Sequence, residues 1–189
     1  MSAPSADLHI PEALQQAVAG VLRNAHAGEL PPFARTLGLP QAGLFQVLRC
    51  CLPQLAAIDA IPERKYAALM QDMPALFNDV QALLMEQRTP DADPLHAEWL
   101  ARAIAAACMG SRFLWQDMGL GERDDVAALL RQYFRPLYDS NQGDLKWKRF
   151  IFLQLSARKK QPGDRHQPGL GNIEGLAVLP TLTSPGTVR

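Results

Sequence analysis

The sequence has no excess of charge of either sign. Its 19 lysine and arginine residues are matched by 19 aspartate and glutamate residues, so no overall field draws the chain to nucleic acid or to an anionic membrane. Long hydrophobic runs are missing too, because the longest apolar stretch, residues 103–110, is far too short to span a bilayer. Glu12 interrupts the first apolar run and no basic segment precedes it, so we expect no signal peptide.

Cysteine is also scarce. The sequence has three, Cys50, Cys51 and Cys108. An odd number without regular spacing argues against a disulfide framework and indicates the reducing cytoplasm. Cys50 and Cys51 are adjacent, so on a helix their side chains would point about 100° apart and are poorly placed to chelate one ion together. Each of the three is expected to behave as a small buried hydrophobic residue.

Catalytic signatures are absent from the sequence. It contains no G-x-x-x-x-G-K-[ST] phosphate loop, no G-x-S-x-G nucleophile elbow and no H-E-x-x-H zinc helix. The histidines are scattered without a second ligand at a suitable spacing: His9, His26, His96 and His166. The acidic group Glu122, Asp124 and Asp125 is expected at the start of a helix, where the dipole favours negative charge. We therefore predict that the chain is not an enzyme.

Helix-forming residues dominate what is present. Ala, Leu, Gln and Arg are plentiful, and 48% of the residues are hydrophobic, which is sufficient for one helical domain with a real core. We predict a single all-α domain over residues 8–157. Apolar periodicity and the positions of Gly and Pro place its helices at about 12–22, 33–39, 44–52, 62–88 with a break near Met73, 95–109, 115–120, 124–134 and 145–157.

Particular residues are predicted to start and end these helices. Asp93, either Asp124 or Asp125, and Asp144 each stand before an apolar segment of helical period, so they are expected to be N-caps. Pro136 is expected to end the helix that precedes it, because proline cannot continue a helix from its interior.

Two segments of the chain resemble each other. Residues 33–55 and 114–137 both have an apolar-Gly-Leu hinge, followed by a helix that ends in Leu-Arg close to a proline. The two segments are about 81 to 82 residues apart, a repeat distance that suggests two related helical halves packed pseudo-symmetrically. A chance likeness between two Ala- and Leu-rich helices is the alternative.

The composition changes after residue 157. Residues 158–165 are basic and polar, and the rest of the sequence is rich in proline and glycine, with one aliphatic piece at 173–179 that is too short to form a core. We therefore predict a flexible tail over residues 158–189.

The most unusual local string is Lys146-Trp147-Lys148-Arg149. It puts three cations around a tryptophan at the start of a helix, where the dipole disfavours positive charge. One interpretation is a docking surface for an anionic ligand or an acidic partner. The other is an exposed basic rim with Trp147 turned inward. No wider basic face accompanies the string, so a nucleic-acid partner is not expected.

Several strings in the second half combine into a recognisable pattern: LARAIAAACMG at 100–110, LWQDMGL at 114–120, YFRPL at 133–137 and DLKWKRF at 144–150. In combination they resemble the NifQ family, closely over residues 95–157. The resemblance implies a role in nitrogen fixation, the delivery of molybdenum for the iron–molybdenum cofactor of nitrogenase. It also implies an iron–sulfur cluster that can include molybdenum, and nitrogenase cofactor-assembly proteins as partners.

The chain departs from the family pattern where the implied ligands should stand. The family carries a cysteine run of the type C-x4-C-x2-C-x5-C after the last helix, and thiolates suit iron–sulfur and thiomolybdate species. This sequence has Ser156 where the family usually has a cysteine, and no cysteine follows. Ligand counting therefore argues against a cluster held in the family's way.

Three explanations of this departure are open. The tail is the product of a shifted reading frame or an altered terminus, or the protein is an adaptor that contacts cofactor-assembly proteins without carrying metal. In the third, the remaining cysteines bind metal differently, with Cys108, which matches a cysteine often present in the family, as the candidate ligand. The candidate partner-binding residues are Lys146, Trp147, Lys148 and Arg149.

Overall fold

A computed structural model of the protein describes residues 10–53 and 61–160. Within these ranges the chain forms nine α-helices and one 3-10 helix (Pro32–Thr36), and no strand. The α-helices are α1 (Glu12–His26), α2 (Gln41–Cys51), α3 (Glu63–Gln71), α4 (Ala75–Glu86), α5 (Pro94–Cys108), α6 (Leu114–Asp117), α7 (Arg123–Tyr133), α8 (Arg135–Ser140) and α9 (Trp147–Lys160). The all-α prediction is therefore confirmed. None of these helices is both long and apolar enough to cross a membrane.

The predicted ends of the domain fall partly outside the described residues. Residues 8 and 9 of the predicted domain and residues 161–189 of the predicted tail are among those that the structure does not describe. Helix α9 continues to Lys160, three residues beyond the predicted helix end at residue 157. Lys159 Nζ lies 3.1 Å from Asp79 Oδ2 on α4, so the last turn of α9 contacts the body of the fold.

Helix α5 lies at the centre of the fold. Ten of its 15 residues are buried, and they cover all sides of the helix. Five of them are small, four alanines and a cysteine in the run 103–108, which is interrupted only by Ile104. Helices α1 and α4 can therefore approach α5 closely. Asp93 starts the helix as predicted, because its Oδ1 accepts a 2.9 Å hydrogen bond from the His96 N–H.

The two halves of the chain repeat the same succession of elements. Helices α1 and α5 each have 15 residues, a short helix follows each of them, and α2 and α7 each have 11 residues. Gly38 and Gly119, at the centres of the two hinges, both have φ of +63°. Only glycine adopts this left-handed conformation without strain. This repetition supports two related halves over chance likeness.

Each hinge packs on the first helix of the other half. A Cβ added at Gly20 of α1 would lie 2.0 Å from the Met118 carbonyl oxygen, so only glycine permits this approach. Conversely, Arg102 of α5 donates a 2.8 Å hydrogen bond to the Gly38 carbonyl. Gly20 and Arg102 are each the ninth residue of their helix. The halves therefore interlock through matching positions.

Two of the predicted caps are wrong. Helix α7 follows Glu122, and Asp125 contributes from inside the first turn by accepting a 3.0 Å hydrogen bond from the Glu122 N–H. Asp144 has a φ of +46° and lies 2.6 Å from Arg123, away from the first turn of α9. The guanidinium of Arg123 attracts this carboxylate more strongly than a neutral backbone N–H does.

The chain around Pro136 also differs from its prediction. Helix α7 ends at Tyr133, and Pro136 lies in the first turn of the further helix α8, where its missing N–H leaves no hydrogen bond unmade. In α9, the apolar side chain of Leu153 is 47% exposed. The buried residues of α9 are Trp147, Phe150, Ile151 and Leu155.

Candidate functional site

A buried carboxylate lies at the end of α6. Asp117 has no solvent exposure, and Leu114 and Met118 on the same short segment are buried with it. Lys148 Nζ is 2.5 Å from Asp117 Oδ2, and Arg112 Nε is 3.0 Å from Asp117 Oδ1. A buried charge requires such partners, because its removal from water carries a large desolvation cost.

The backbone around Gly110 completes this ion cluster. The Gly110 carbonyl accepts a 3.0 Å hydrogen bond from Lys148 Nζ. A Cβ at Gly110 would lie only 2.4 Å from Asp117 Oδ2, so a larger residue would displace the carboxylate. The turn between α5 and α6 therefore positions Asp117, and Asp117 in turn fixes the start of α9 through Lys148.

A groove of about 410 Å³ opens beside the ion cluster, and we call it the cationic groove. Residues of α6, α7, α9 and the segments before them form its walls. Five cations line it: Arg112, Arg123, Lys146, Lys148 and Arg149. The other lining residues are aromatic or aliphatic: Phe113, Leu114, Trp115, Val126 and Trp147. Within the described part of the chain, no acidic side chain lines this groove.

Two of the four predicted partner-binding residues form the floor of the groove. Lys148 is held by Asp117, and its side chain is 16% exposed. Trp147 is 6% exposed and turned inward, with its ring stacked on Tyr138 at a centroid distance of 5.8 Å. These two residues are thus fixed by internal contacts.

The other two predicted residues lie at the rim. Lys146 is exposed, and its Nζ lies 4.7 Å from the centroid of the Phe113 ring, a cation–π contact. Arg149 is exposed, and its side chain makes no hydrogen bond or ion pair with any residue that the structure describes. Trp147 is therefore turned inward, as the second interpretation expects, and Lys146 and Arg149 present positive charge to solvent.

The sequence interpretation missed Arg112, Phe113, Asp117 and Arg123. One signal was available for Asp117, since an acidic residue between Leu114 and Met118 on an apolar face indicates a buried ion pair. Its partner Lys148 is 31 residues further along the chain, so no local pattern could identify it.

Comparison with known sequences assigns the family. A sequence model of the NifQ family matches residues 16–162. The chain belongs to the NifQ family. It is 32% identical to Protein NifQ of Rhodobacter capsulatus over 144 residues, covering 76% of this chain and 75% of that protein. No solved structure matches this NifQ chain.

Two further relatives carry the same description. Protein NifQ of Azotobacter vinelandii is 31% identical over 127 residues, 63% of this chain and 64% of that protein. This NifQ chain thus spans less than two thirds of the A. vinelandii protein. Protein NifQ of Klebsiella pneumoniae is 33% identical over 64 residues, 34% of this chain and 35% of that protein. Membership of the NifQ family is consistent with a role in nitrogen fixation.

The cysteines of this NifQ chain are dispersed over two helices. Burial raises the pKa of the Cys51 thiol to about 12, and the neighbouring Cys50 adds to the rise. Burial also raises the pKa of the Cys108 thiol to about 12, while Lys148 lowers it and Asp117 raises it by smaller amounts. The thiolate is the form that binds metal, so both thiols are poor ligands at neutral pH.

No metal site is assembled elsewhere in the described residues. Among residues 10–53 and 61–160, no group of three His, Cys, Asp or Glu side chains is arranged to hold a metal ion. Ser156 is exposed on α9, and its hydroxyl donates a 2.9 Å hydrogen bond to the Phe152 carbonyl. This position on the last helix therefore faces solvent, whereas Cys108 is buried.

Proposed function

We propose that this NifQ family member supports nitrogen fixation by supplying molybdenum for the iron–molybdenum cofactor of nitrogenase. The observation that carries the proposal is the family match, which covers residues 16–162 and therefore almost all of the described helices. In this role the chain binds a molybdenum species as cargo and delivers it to cofactor-assembly proteins, without a catalytic step of its own.

The iron–sulfur cluster implied by the family resemblance does not fit the residues of this chain. Such clusters are held by several thiolates, whereas the sequence has three cysteines and none after Cys108. Cys51 and Cys108 are buried in different helices, and burial keeps both thiols protonated at neutral pH. We therefore assign no cluster ligand in this chain.

An adaptor without metal is the second candidate function. The cationic groove favours it, because this groove offers a docking surface that does not depend on any thiolate. In this role the chain contacts nitrogenase cofactor-assembly proteins and leaves the metal to them.

Metal analysis of the whole protein separates the two candidates. The protein would be purified without exposure to oxygen from cells that express the nitrogenase assembly proteins, and its molybdenum and iron would be measured by mass spectrometry. Near-stoichiometric molybdenum supports the supply function and overturns the adaptor. Metal-free protein that still co-purifies with a cofactor-assembly protein overturns the supply function.

A matched pair of variants identifies the role of the thiols in that experiment. Cys108→Ala removes the candidate ligand, and Cys50→Ala removes a half-buried thiol on a different helix. If Cys108 binds the cargo, molybdenum is lost in Cys108→Ala and retained in Cys50→Ala. Equal molybdenum contents in both variants and the unchanged protein would exclude Cys108 as a ligand.

A further inference from the structure

We propose that the cationic groove is a docking site for an acidic segment of a partner protein, one that carries an aromatic or aliphatic side chain among its carboxylates. The charge, the size and the rigidity of the groove all favour such a partner. Docking at this groove does not depend on whether the chain carries molybdenum, so its test is independent of the metal analysis.

The charge of the groove calls for an anionic partner. Five cations line it, and three carboxylates contact them, Asp117, Asp144 and Glu29. Among the described residues, two positive charges are therefore left without a carboxylate, and they belong to Lys146 and Arg149 at the exposed rim. Rim charges of this kind steer and orient a partner of opposite charge.

The size and lining of the groove favour a peptide segment over a single inorganic anion. A volume of about 410 Å³ lies in the range of pockets that hold organic ligands, about 300–1,000 Å³. Phe113 is 49% exposed beside it, one of three large hydrophobic side chains that are exposed in the described residues. An apolar side chain of the partner would cover this ring, and aromatic residues together with arginine are typical of interface centres.

The floor of the groove is already fixed before any partner arrives. Asp117 holds Lys148 and Arg112, and Tyr138 stacks on Trp147. Two buried donors at this floor, Arg112 Nη2 and Trp147 Nε1, have no hydrogen-bond acceptor among the described residues. A fixed surface lowers the ordering cost of binding.

The test uses a fluorescein-labelled synthetic peptide in which one phenylalanine is flanked on each side by three alternating aspartates and glutamates. Anisotropy is measured against the full-length protein in dilute and concentrated NaCl. We expect saturable binding with a Kd below about 100 μM at low salt, weakened at least tenfold, as an order of magnitude, in about 0.5 M NaCl because salt screens exposed charges. A peptide with serine in place of phenylalanine should bind about fivefold more weakly.

Charge-reversal variants locate the binding site. Lys146→Glu and Arg149→Glu change exposed residues that pair with no carboxylate in the part of the chain that the structure describes, so we expect the fold to be retained. Each substitution should raise the Kd for the peptide about tenfold. Arg131→Glu is the matched control, since Arg131 is an exposed cation on α7 outside the groove, and it should change the Kd by less than about twofold.

Three results would overturn the proposal. The first is an absence of saturable peptide binding at protein concentrations up to about 1 mM, weaker than any useful docking. The second is an equal loss of binding in Arg131→Glu and in the two groove variants. The third is that the peptide does not bind while inorganic phosphate binds saturably and depends on Lys146 and Arg149. The groove would then be a site for small oxyanions.

Discussion

Replacing Asp117 by asparagine tests the structural role of the ion cluster most directly. The side chain has the same shape, but the carboxylate that contacts both Lys148 and Arg112 is lost. Lys148 is 16% exposed and Arg112 is 36% exposed. Lys148 would therefore be left partly buried without a counter-charge, and Arg112 would keep only its contact with Glu29. Breaking a buried pair in this way costs about 3–5 kcal/mol.

We expect a loss near the lower limit, about 3 kcal/mol, because Arg112 is partly solvated and also lies 3.7 Å from Glu29. For a protein of this size, 1 kcal/mol shifts the Tm by about 2–4 °C, so the Tm should fall by about 10 °C. Urea unfolding followed by circular dichroism gives the free energy, and calorimetry gives the Tm. Asp139→Asn is the matched control, since Asp139 and Arg135 form an exposed pair at 3.4 Å that should contribute less than about 1 kcal/mol.

The double variant Asp117→Asn, Lys148→Met sharpens this test. Methionine removes the uncompensated ammonium and keeps most of the aliphatic volume, so part of the loss should be recovered. The reasoning is refuted if Asp117→Asn is no more harmful than Asp139→Asn, or if the second substitution only adds its own loss.

Packing at the hinge and ionisation of the thiols provide further tests. Gly20→Ala should lower the free energy of unfolding in urea by about 2 kcal/mol, because its methyl group would lie 2.0 Å from a backbone carbonyl oxygen. Gly43→Ala, whose methyl would have no contact below 3.6 Å, should leave that free energy unchanged or raise it. Equal losses of stability in the two variants would contradict the packing at Gly20. In native protein at pH 8, a thiol reagent should titrate only half-buried Cys50, and denaturant should expose all three thiols. Above pH 9 the unfolded thiol of Cys108 ionises, while burial raises its folded pKa to about 12, so stability falls as pH rises. At pH 10 the ionisation of the unfolded Cys108 thiol lowers the free energy of unfolding by about 1.4 kcal/mol. Between pH 7 and pH 10, the free energy of unfolding of Cys108→Ala should therefore fall less than that of the unchanged protein.

Local patterns in the sequence account for most of the helices. Apolar periodicity located the long helices. The break predicted near Met73 does separate α3 from α4, because Met73 precedes Pro74 and the residue before a proline avoids the helical conformation. The prediction of Asp93 as an N-cap was also correct, because a cap depends on a contact between residues only three positions apart. The prediction of Asp144 as an N-cap was wrong, because its carboxylate binds Arg123, which is 21 residues away in the sequence.

The candidate site was only half visible in the sequence. The string 146–149 showed an unusual concentration of charge, but the other wall of the groove comes from the segment around Phe113, which no spacing rule connects to it. Lys148 faces inward because it binds Asp117, and the turn at Gly110 positions Asp117 for that contact. Tertiary packing, and not composition, therefore places Trp147 and Lys148 at the floor of the groove and Lys146 and Arg149 at its rim.

The reciprocal packing of the two hinges also affects how the chain folds as it leaves the ribosome. Asn24 of α1 donates hydrogen bonds to the carbonyls of Gln116 and Asp117, which are 92 and 93 residues further along the chain. Until those residues have been synthesised, the face of α1 around Gly20 has no native neighbour to cover it. Closing so long a loop carries an entropy cost that local helices do not share. The N-terminal half therefore completes its own folding only after the second half has emerged, and a nascent chain that stalls before residue 116 leaves that face exposed to aggregation.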